Sequence, residues 1–328
     1  MTRSHRNQPF VGCKRRTPAW HDAQVLGRLH AAVSLLTAAT VLTGCGSTLE
    51  DVKITMATGP EGGVYYTLGK SLADVWSGRL GIARPQVVAT AGSKDNVIRL
   101  VNGQAQVGFS QADAVEGVEG ASQLRALARM HDDYLQVIVR SDLPVTKLSQ
   151  LSGLRVSIGG KESGVEIIAR RLLKSTNVTP HEVNLGLDDS VQAMRDGKLD
   201  AFFWSGGLPT RAITELTKEI GVRMLDLKDD LPPFRQQYPV YGSATLPAST
   251  YNLQSGPVIT LVVRNFLLVT DKMPDDVAEA LVRQLFEGQP DLVKAHSAAR
   301  TIEQRSAIET SPVPLHPGAM RYYREAKV

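Results

Sequence analysis

Residues 52–72 read VKITMATGPEGGVYYTLGKSL. A β-branched apolar run from Val52 to Thr58 breaks at Gly59-Pro60-Glu61-Gly62-Gly63, and from Val64 the apolar residues Leu68, Leu72 and Val75 recur at helical spacing. The stretch therefore reads strand, glycine loop, helix. The same unit returns at residues 155–173, RVSIGGKESGVEIIARRLL: a strand Arg155 to Ile158, a loop Gly159 to Gly164, and a helix from Val165 with Ile168, Leu172 and Leu173 on one face.

Peptide N–H groups at a helix start lack intrahelical acceptors, and the aligned peptide dipoles add partial positive charge there. Glycines let an anion approach that backbone closely, so each unit is a candidate anion site. Glycines in such loops also serve tight α/β packing alone. Their recurrence at equivalent places favours two sites facing one cleft, suited to an elongated ligand with negative charge at both ends.

Further strand signals lie at Gln86 to Thr90, Gln106 to Ser110, Arg125 to Met130, Leu135 to Val139, Ala201 to Trp204 and Val258 to Val263, and another helical face carries Val277, Leu281 and Leu285 after Pro274. Alternation of strands and helices predicts an α/β protein. The chain of 328 residues is long enough for two ordinary domains. It turns polar or Pro/Gly-rich near Arg140–Leu151 and Leu246–Pro257, which predicts two crossings. Residues 52–140 with 251–328 would then form lobe one, and residues 141–250 lobe two.

Hydrophobic residues at 42% and charged residues at 21% exclude a disordered chain and a multi-span membrane protein. The formal charge of +4 is concentrated at the N-terminus. Residues 1–44 hold six cations and one acid, which leaves 31 basic against 32 acidic residues in the rest. No basic stripe supports a nucleic-acid partner. The N-terminal cations precede the apolar run Ala31 to Leu42 and then Leu42-Thr43-Gly44-Cys45. A run of twelve residues is too short to span a bilayer, so residues 1–44 read as an export signal. The LTGC tetrad resembles the bacterial lipobox, with lipid attachment at Cys45 and residues 45–51 as anchor and spacer. Cleavage there would remove Cys13, the other of the two cysteines, and leave no thiol for a disulfide or cysteine metal site.

Thr58 to Gly69 (TGPEGGVYYTLG) is similar to the N-terminal signature of the TAXI family of TRAP-transporter solute receptors. Thr90 to Asn96 (TAGSKDN) with Leu100, Val107 to Asp113 (VGFSQAD), Arg155 to Ala169, Asp196 to Pro209 (DGKLDAFFWSGGLP) and His316 to Glu325 (HPGAMRYYRE) follow in the family's order. The resemblance implies a type II periplasmic-binding fold of two α/β lobes closing on a ligand. It also implies a monomeric extracytoplasmic receptor for a small carboxylate such as glutamate or 2-oxoglutarate, a TRAP membrane permease as partner, and neither cofactor nor catalysis. By position, Thr58, Gly63, Val64 and Tyr65 would touch ligand from lobe one, with Thr90, Ser93, Asn96 and Gln111. Ser163, Gly164 and Val165 would do so from lobe two, with Trp204 and Gly207 closing the pocket. Two departures stand out: Glu61 replaces a small hydroxyl residue of the family loop, and Glu162-Ser163-Gly164-Val165 loses a hydroxyl while Lys161 lies nearby.

Other readings compete. The receptor of an ATP-driven importer shares this fold, and a ligand-presenting partner of a sensor kinase is a reading from a different class. Gly108-Phe109-Ser110-Gln111-Ala112 approximates a hydrolase elbow but lacks its final glycine. His131-Asp132-Asp133 reads as a solvated turn, since adjacent residues cannot all face one metal ion. Phe202 and Phe203 read as core, and His316 as a cap of the last helix.

Overall fold

The computed structural model describes residues 49, 52–252 and 256–328. Cys45 and the segment expected to be an export signal lie outside the described residues. Ten strands form one mixed sheet: β1 (Thr55–Ala57), β2 (Gln86–Val88), β3 (Val107–Gln111), β4 (Leu124–Arg140), β5 (Arg155–Ser157), β6 (His181–Val183), β7 (Ala201–Gly206), β8 (Val222–Met224), β9 (Gly242–Leu246) and β10 (Val258–Thr270). Their order is β2-β1-β3-β10-β4-β7-β5-β6, with β8 added to β4 and β9 to β10.

The sheet is built twice. On one side β2, β1 and β3 run parallel and β10 closes them antiparallel. On the other, β6, β5 and β7 run parallel and β4 closes them antiparallel. The two closing strands pair with each other and join the halves. Each parallel strand needs a crossover back to its neighbour's starting edge, and helices supply it. In the first half these are α1 (Val64–Leu80) and α2 (Ser93–Val101); in the second, α3 (Gly164–Ser175) and α4 (Leu187–Arg195). Then come α5 (Arg211–Glu219), α6 (Leu231–Gln237), α7 (Asp275–Glu287), α8 (Gln289–Ala295), α9 (Gln304–Ala307) and α10 (Pro317–Glu325).

Two apolar clusters cover the sheet, one over the first half and one over the second that also takes in Val97 and Leu100 of α2. Leu68, Leu72 and Trp76 of α1 pack with Leu281 and Leu285 of α7 and Tyr322 and Tyr323 of α10 over the first half. The Trp76 indole N–H donates to the Leu281 carbonyl at 3.1 Å, so its burial leaves no orphan donor. Ile168, Leu172, Val191 and Ile213 cover the second half with Phe202 and Phe203, which are core as expected. The cap role expected of His316 is also present: its Nδ1 accepts from the Gly318 N–H at 3.1 Å, and its Nε2 lies 3.0 Å from the Met273 carbonyl.

One expectation fails in an informative way. Arg125 to Met130 and Leu135 to Val139 are a single 17-residue strand, β4, and His131-Asp132-Asp133 is part of it. His131 and Asp133 are each 2% exposed, so the solvated turn does not exist. Asp132 pairs with Arg264 while Arg129 pairs with Phe266, so Met130 and His131 together face the single residue Asn265. This is a β-bulge, which re-aims side chains on the bulged strand. β4 ends at Arg140 and β10 begins at Val258.

Candidate functional site

The loops that open α1 and α3 meet. Both line one cavity of about 40 Å³, together with the start of α2 and the end of β7. Gly63 is the N-cap of α1 and carries no side chain to satisfy the first-turn N–H groups. Gly92 is the N-cap of α2 with φ 123°, a backbone conformation open to glycine and strained for other residues. Ser163 is the N-cap of α3, where its hydroxyl accepts from the Glu166 N–H at 3.1 Å. Three helix N-termini thus converge on one point. The local field favours negative charge.

The halves touch around this cavity. The Asp95 N–H in the first turn of α2 donates to the Glu162 carbonyl at 3.0 Å. A Cβ on Gly92 would lie 3.7 Å from Ser163 Cα, and one on Gly164 would lie 2.0 Å from Gln111 Oε1. A methyl group at 164 would have to displace the Gln111 amide, which Asp133 and Ser205 hold.

Of the thirteen expected ligand-contact residues, nine line the cavity: Gly63, Val64, Tyr65, Ser93, Gln111, Ser163, Gly164, Val165 and Trp204. The other four sit behind it. The Thr58 hydroxyl donates to the Val88 carbonyl at 2.7 Å. The Thr90 hydroxyl lies 2.6 Å from Asn96 Oδ1 and 3.1 Å from the Thr58 carbonyl. The Asn96 amide donates to the carbonyls of Thr58 and Phe109. These side chains bind one another and the backbone, and they brace the loop from outside the cavity lining. Gly207 is wedged where a Cβ would meet His131, Val64 and Ala298 at 3.1–3.2 Å. Glu61 is exposed and Tyr66 faces Lys70, both off the cavity.

Asp133 and Ser205 line the cavity too and were missed. Gln111 Nε2 donates both to Asp133 Oδ2 and to Ser205 Oγ, each at 2.8 Å. The Tyr65 hydroxyl meets Asn265 Oδ1, with Ser93 Oγ and Asp133 Oδ2 each 3.4 Å away. Its ring stacks on Phe109 with centroids 5.1 Å apart. Burial, and next the Asp133 charge, hold the Tyr65 phenol well above its usual range, so it stays a neutral donor. No sequence pattern marks Asp133, because its partners come from α1, β3 and β10. Trp204 anchors the far wall by donating to Thr210 Oγ1 at 2.9 Å.

A second cluster, none of whose residues lines the cavity, also ties the halves. The Tyr241 hydroxyl donates to Asp113 Oδ2 at 2.5 Å, and Arg171 of α3 reaches Tyr241 at 2.9 Å and Glu116 at 2.6 Å. Desolvation raises Asp113 to about 6 despite the opposing pull of Tyr241 and Arg171.

The hydrolase arrangement is not assembled. Ser110 is fully buried within β3, and its hydroxyl donates to the Gln111 carbonyl at 3.0 Å. Among the described residues no group of three or more His, Cys, Asp or Glu is placed to hold a metal ion. A larger depression of about 750 Å³ is lined by residues that include Thr214, Lys218, Asp226, Thr250, Asn252 and Pro257, and no α-helix begins in it.

Several solved structures share the fold. Periplasmic binding protein BugD superposes with a TM-score of 0.54 at 14% identity, over 84% of this chain and 93% of that one. A structure described as a periplasmic transporter gives 0.53 at 14% identity over 84% and 93%. A protein from Bordetella bronchiseptica RB50 gives 0.51 at 15% identity over 85% and 99%. The architecture is that of type II periplasmic binding proteins. The family model described as NMT1-like matches residues 56–326, and the chain belongs to the NMT1-like family.

Proposed function

We propose that the protein is an extracytoplasmic solute receptor, lipid-anchored at Cys45, that captures a small carboxylate and delivers it to a TRAP-type membrane permease. It performs no reaction. The observation that carries this reading is the convergence of α1 and α3, one from each half of the sheet, on one cavity through N-termini opened by glycine loops. Paired N-termini hold an acid by unpaired N–H groups and dipole charge, with no need for a basic side chain. The shared architecture with a periplasmic binding protein supports the same reading.

The lobes we assign are residues 52–140 with 251–328, and residues 141–250, working as a monomer. Room for about three water molecules means that an acid enters only when the lobes part. Only the closed form brings both loops to the ligand, so binding selects closure. The TAXI resemblance supports the choice of a TRAP permease over an ATP-driven importer.

The decisive experiment is uptake of the bound acid in cells that carry or lack this protein. Uptake that needs the protein, collapses with a sodium or proton ionophore and survives ATP depletion supports the TRAP partner. Uptake that follows ATP and ignores the ionophore refutes it. Cys45→Ala should release the protein from the membrane fraction; retention there would refute the anchor.

A further inference from the structure

We infer that Asp113, Tyr241 and Arg171 form a latch between the lobes that sets how much of the protein is closed, and so how tightly it holds its ligand, without touching that ligand; this rests on the two lobes proposed above.

The latch joins parts assigned to different lobes. Asp113 follows β3 of the first half, and Glu116 lies three residues further on. Arg171 belongs to α3. Tyr241 leads into β9, and its ring stacks on Phe234 of α6 with centroids 5.3 Å apart. None of these residues lines the cavity where the helix N-termini meet. Gln111 also bonds Ser205 across the halves, but both line that cavity. The latch is therefore a place where closure changes while the ligand contacts stay as they are.

Chemistry fixes the direction of each bond. A guanidinium group only donates. Arg171 Nη1 donates to the Tyr241 oxygen at 2.9 Å, which leaves the single phenol proton for Asp113 Oδ2, 2.5 Å away. Asp113 Oδ1 has no partner, and Arg171 Nη1 stands 4.0 Å from Oδ2. Tyr241 thus gives the carboxylate its hydrogen bond while Arg171 opposes its charge. The guanidinium is itself held by Glu116 at 2.6 Å and lies 5.0 Å from the centre of the Tyr238 ring.

Asp113 and Tyr241 are each 2% exposed. A buried carboxylate is costly unless paired, and removing one partner leaves the cost without its compensation. Parting of the lobes returns Asp113 to water, so this penalty falls on the closed form alone. Closure is tolerated only while Tyr241 and Arg171 are both in place. The Glu116 side chain, 70% exposed, adds little of its own.

The test reads lobe separation directly. Residues 48–328 form one compact unit, and the chain from Gly46 onward has no cysteine, so Lys70→Cys in α1 and Glu215→Cys in α5, both exposed positions, take spin labels cleanly. Pulsed spin resonance then gives the ratio of short to long distances, with no ligand and with L-glutamate or 2-oxoglutarate as probes. Tyr241→Phe should lower that ratio by roughly tenfold or more, and the affinity for any probe that binds by the same factor. Adding Asp113→Leu removes the stranded charge and should bring the ratio back to within about threefold of the wild type. Arg171→Met should shift the distances the same way, and it serves if Tyr241→Phe fails to fold. Unchanged distances with a lowered melting temperature would mean that the cluster only stabilises the fold, and would overturn the latch. So would a wild type that shows no short distance under any condition, or a double variant that is not rescued. Shifted distances with no binding of either probe keep the latch and count against the receptor's ligand class; binding with unshifted distances does the reverse.

Discussion

The backbone N–H of Asp95 donates to the carbonyl of Glu162 across 3.0 Å, which ties the first turn of α2 to the loop that opens α3. The two residues belong to opposite halves of the sheet, and the cavity lies beside their bond. Contacts of this kind exist only while the halves are together.

Gly164→Ala should uncouple binding from folding. The added methyl would stand 2.0 Å from Gln111 Oε1, and Gln111 is held by Asp133 and Ser205. Parting of the halves relieves the clash, so the variant folds but closes poorly. We expect affinity for the ligand to fall by roughly tenfold or more, the measure of a closed state made rarer, with an unchanged melting temperature in the absence of ligand. Calorimetry and a thermal melt report the two quantities separately.

Ser163→Ala removes the hydroxyl that caps α3 by accepting from the Glu166 N–H. Loss of such a cap costs about 1 kcal/mol of stability. Because Ser163 also lines the cavity, ligand affinity should fall as well. Urea denaturation and calorimetry on the same sample check both effects.

Asp113 gives the fold a pH dependence of definite sign. Its carboxyl is raised from 3.8 to about 6, chiefly by burial, with Tyr241, Arg171 and Glu116 around it. Between those values the folded chain binds more protons than the unfolded chain, so stability falls as pH rises through this window. The full cost is in place above about pH 6. Asp113→Asn lacks this titration, so its stability relative to wild type should rise from pH 4 to pH 7, by up to about 3 kcal/mol at 1.36 kcal/mol per pH unit. Denaturant midpoints at a series of pH values measure the difference, and a constant offset between the two proteins would contradict it.

Glu61→Thr restores a small hydroxyl residue to the first loop. Because Glu61 is exposed and off the cavity, affinity should stay within about twofold, the scale of a neutral surface change. A larger shift by calorimetry would place Glu61 at the ligand.

The paired strand–loop–helix units were legible in the sequence because each is local: a glycine run between a period-2 and a period-3.6 pattern fixes where the helix starts. The observed starts at Val64 and Gly164 agree with the expected Val64 and Val165 to within one residue. What was not legible depends on distant partners. Thr58, Thr90 and Asn96 have the polarity of ligand contacts, but their hydrogen bonds run to one another and to the backbone, outside the cavity lining. His131-Asp132-Asp133 looks solvated because three polar residues interrupt an apolar pattern. It is instead the bulge of β4, stabilised by pairing with β10 more than a hundred residues away in the sequence. Asp133 then meets Tyr65 and Gln111, which come from two other elements.

The most direct measurement is calorimetric titration of the chain from Gly46 onward with a broad panel of small carboxylic acids, repeated on Gly164→Ala. Paired helix termini acting as one clasp predict 1:1 binding of at least one acid by the wild type, and its marked weakening in the variant. Equal binding by both proteins, or no heat from any acid, would contradict the clasp.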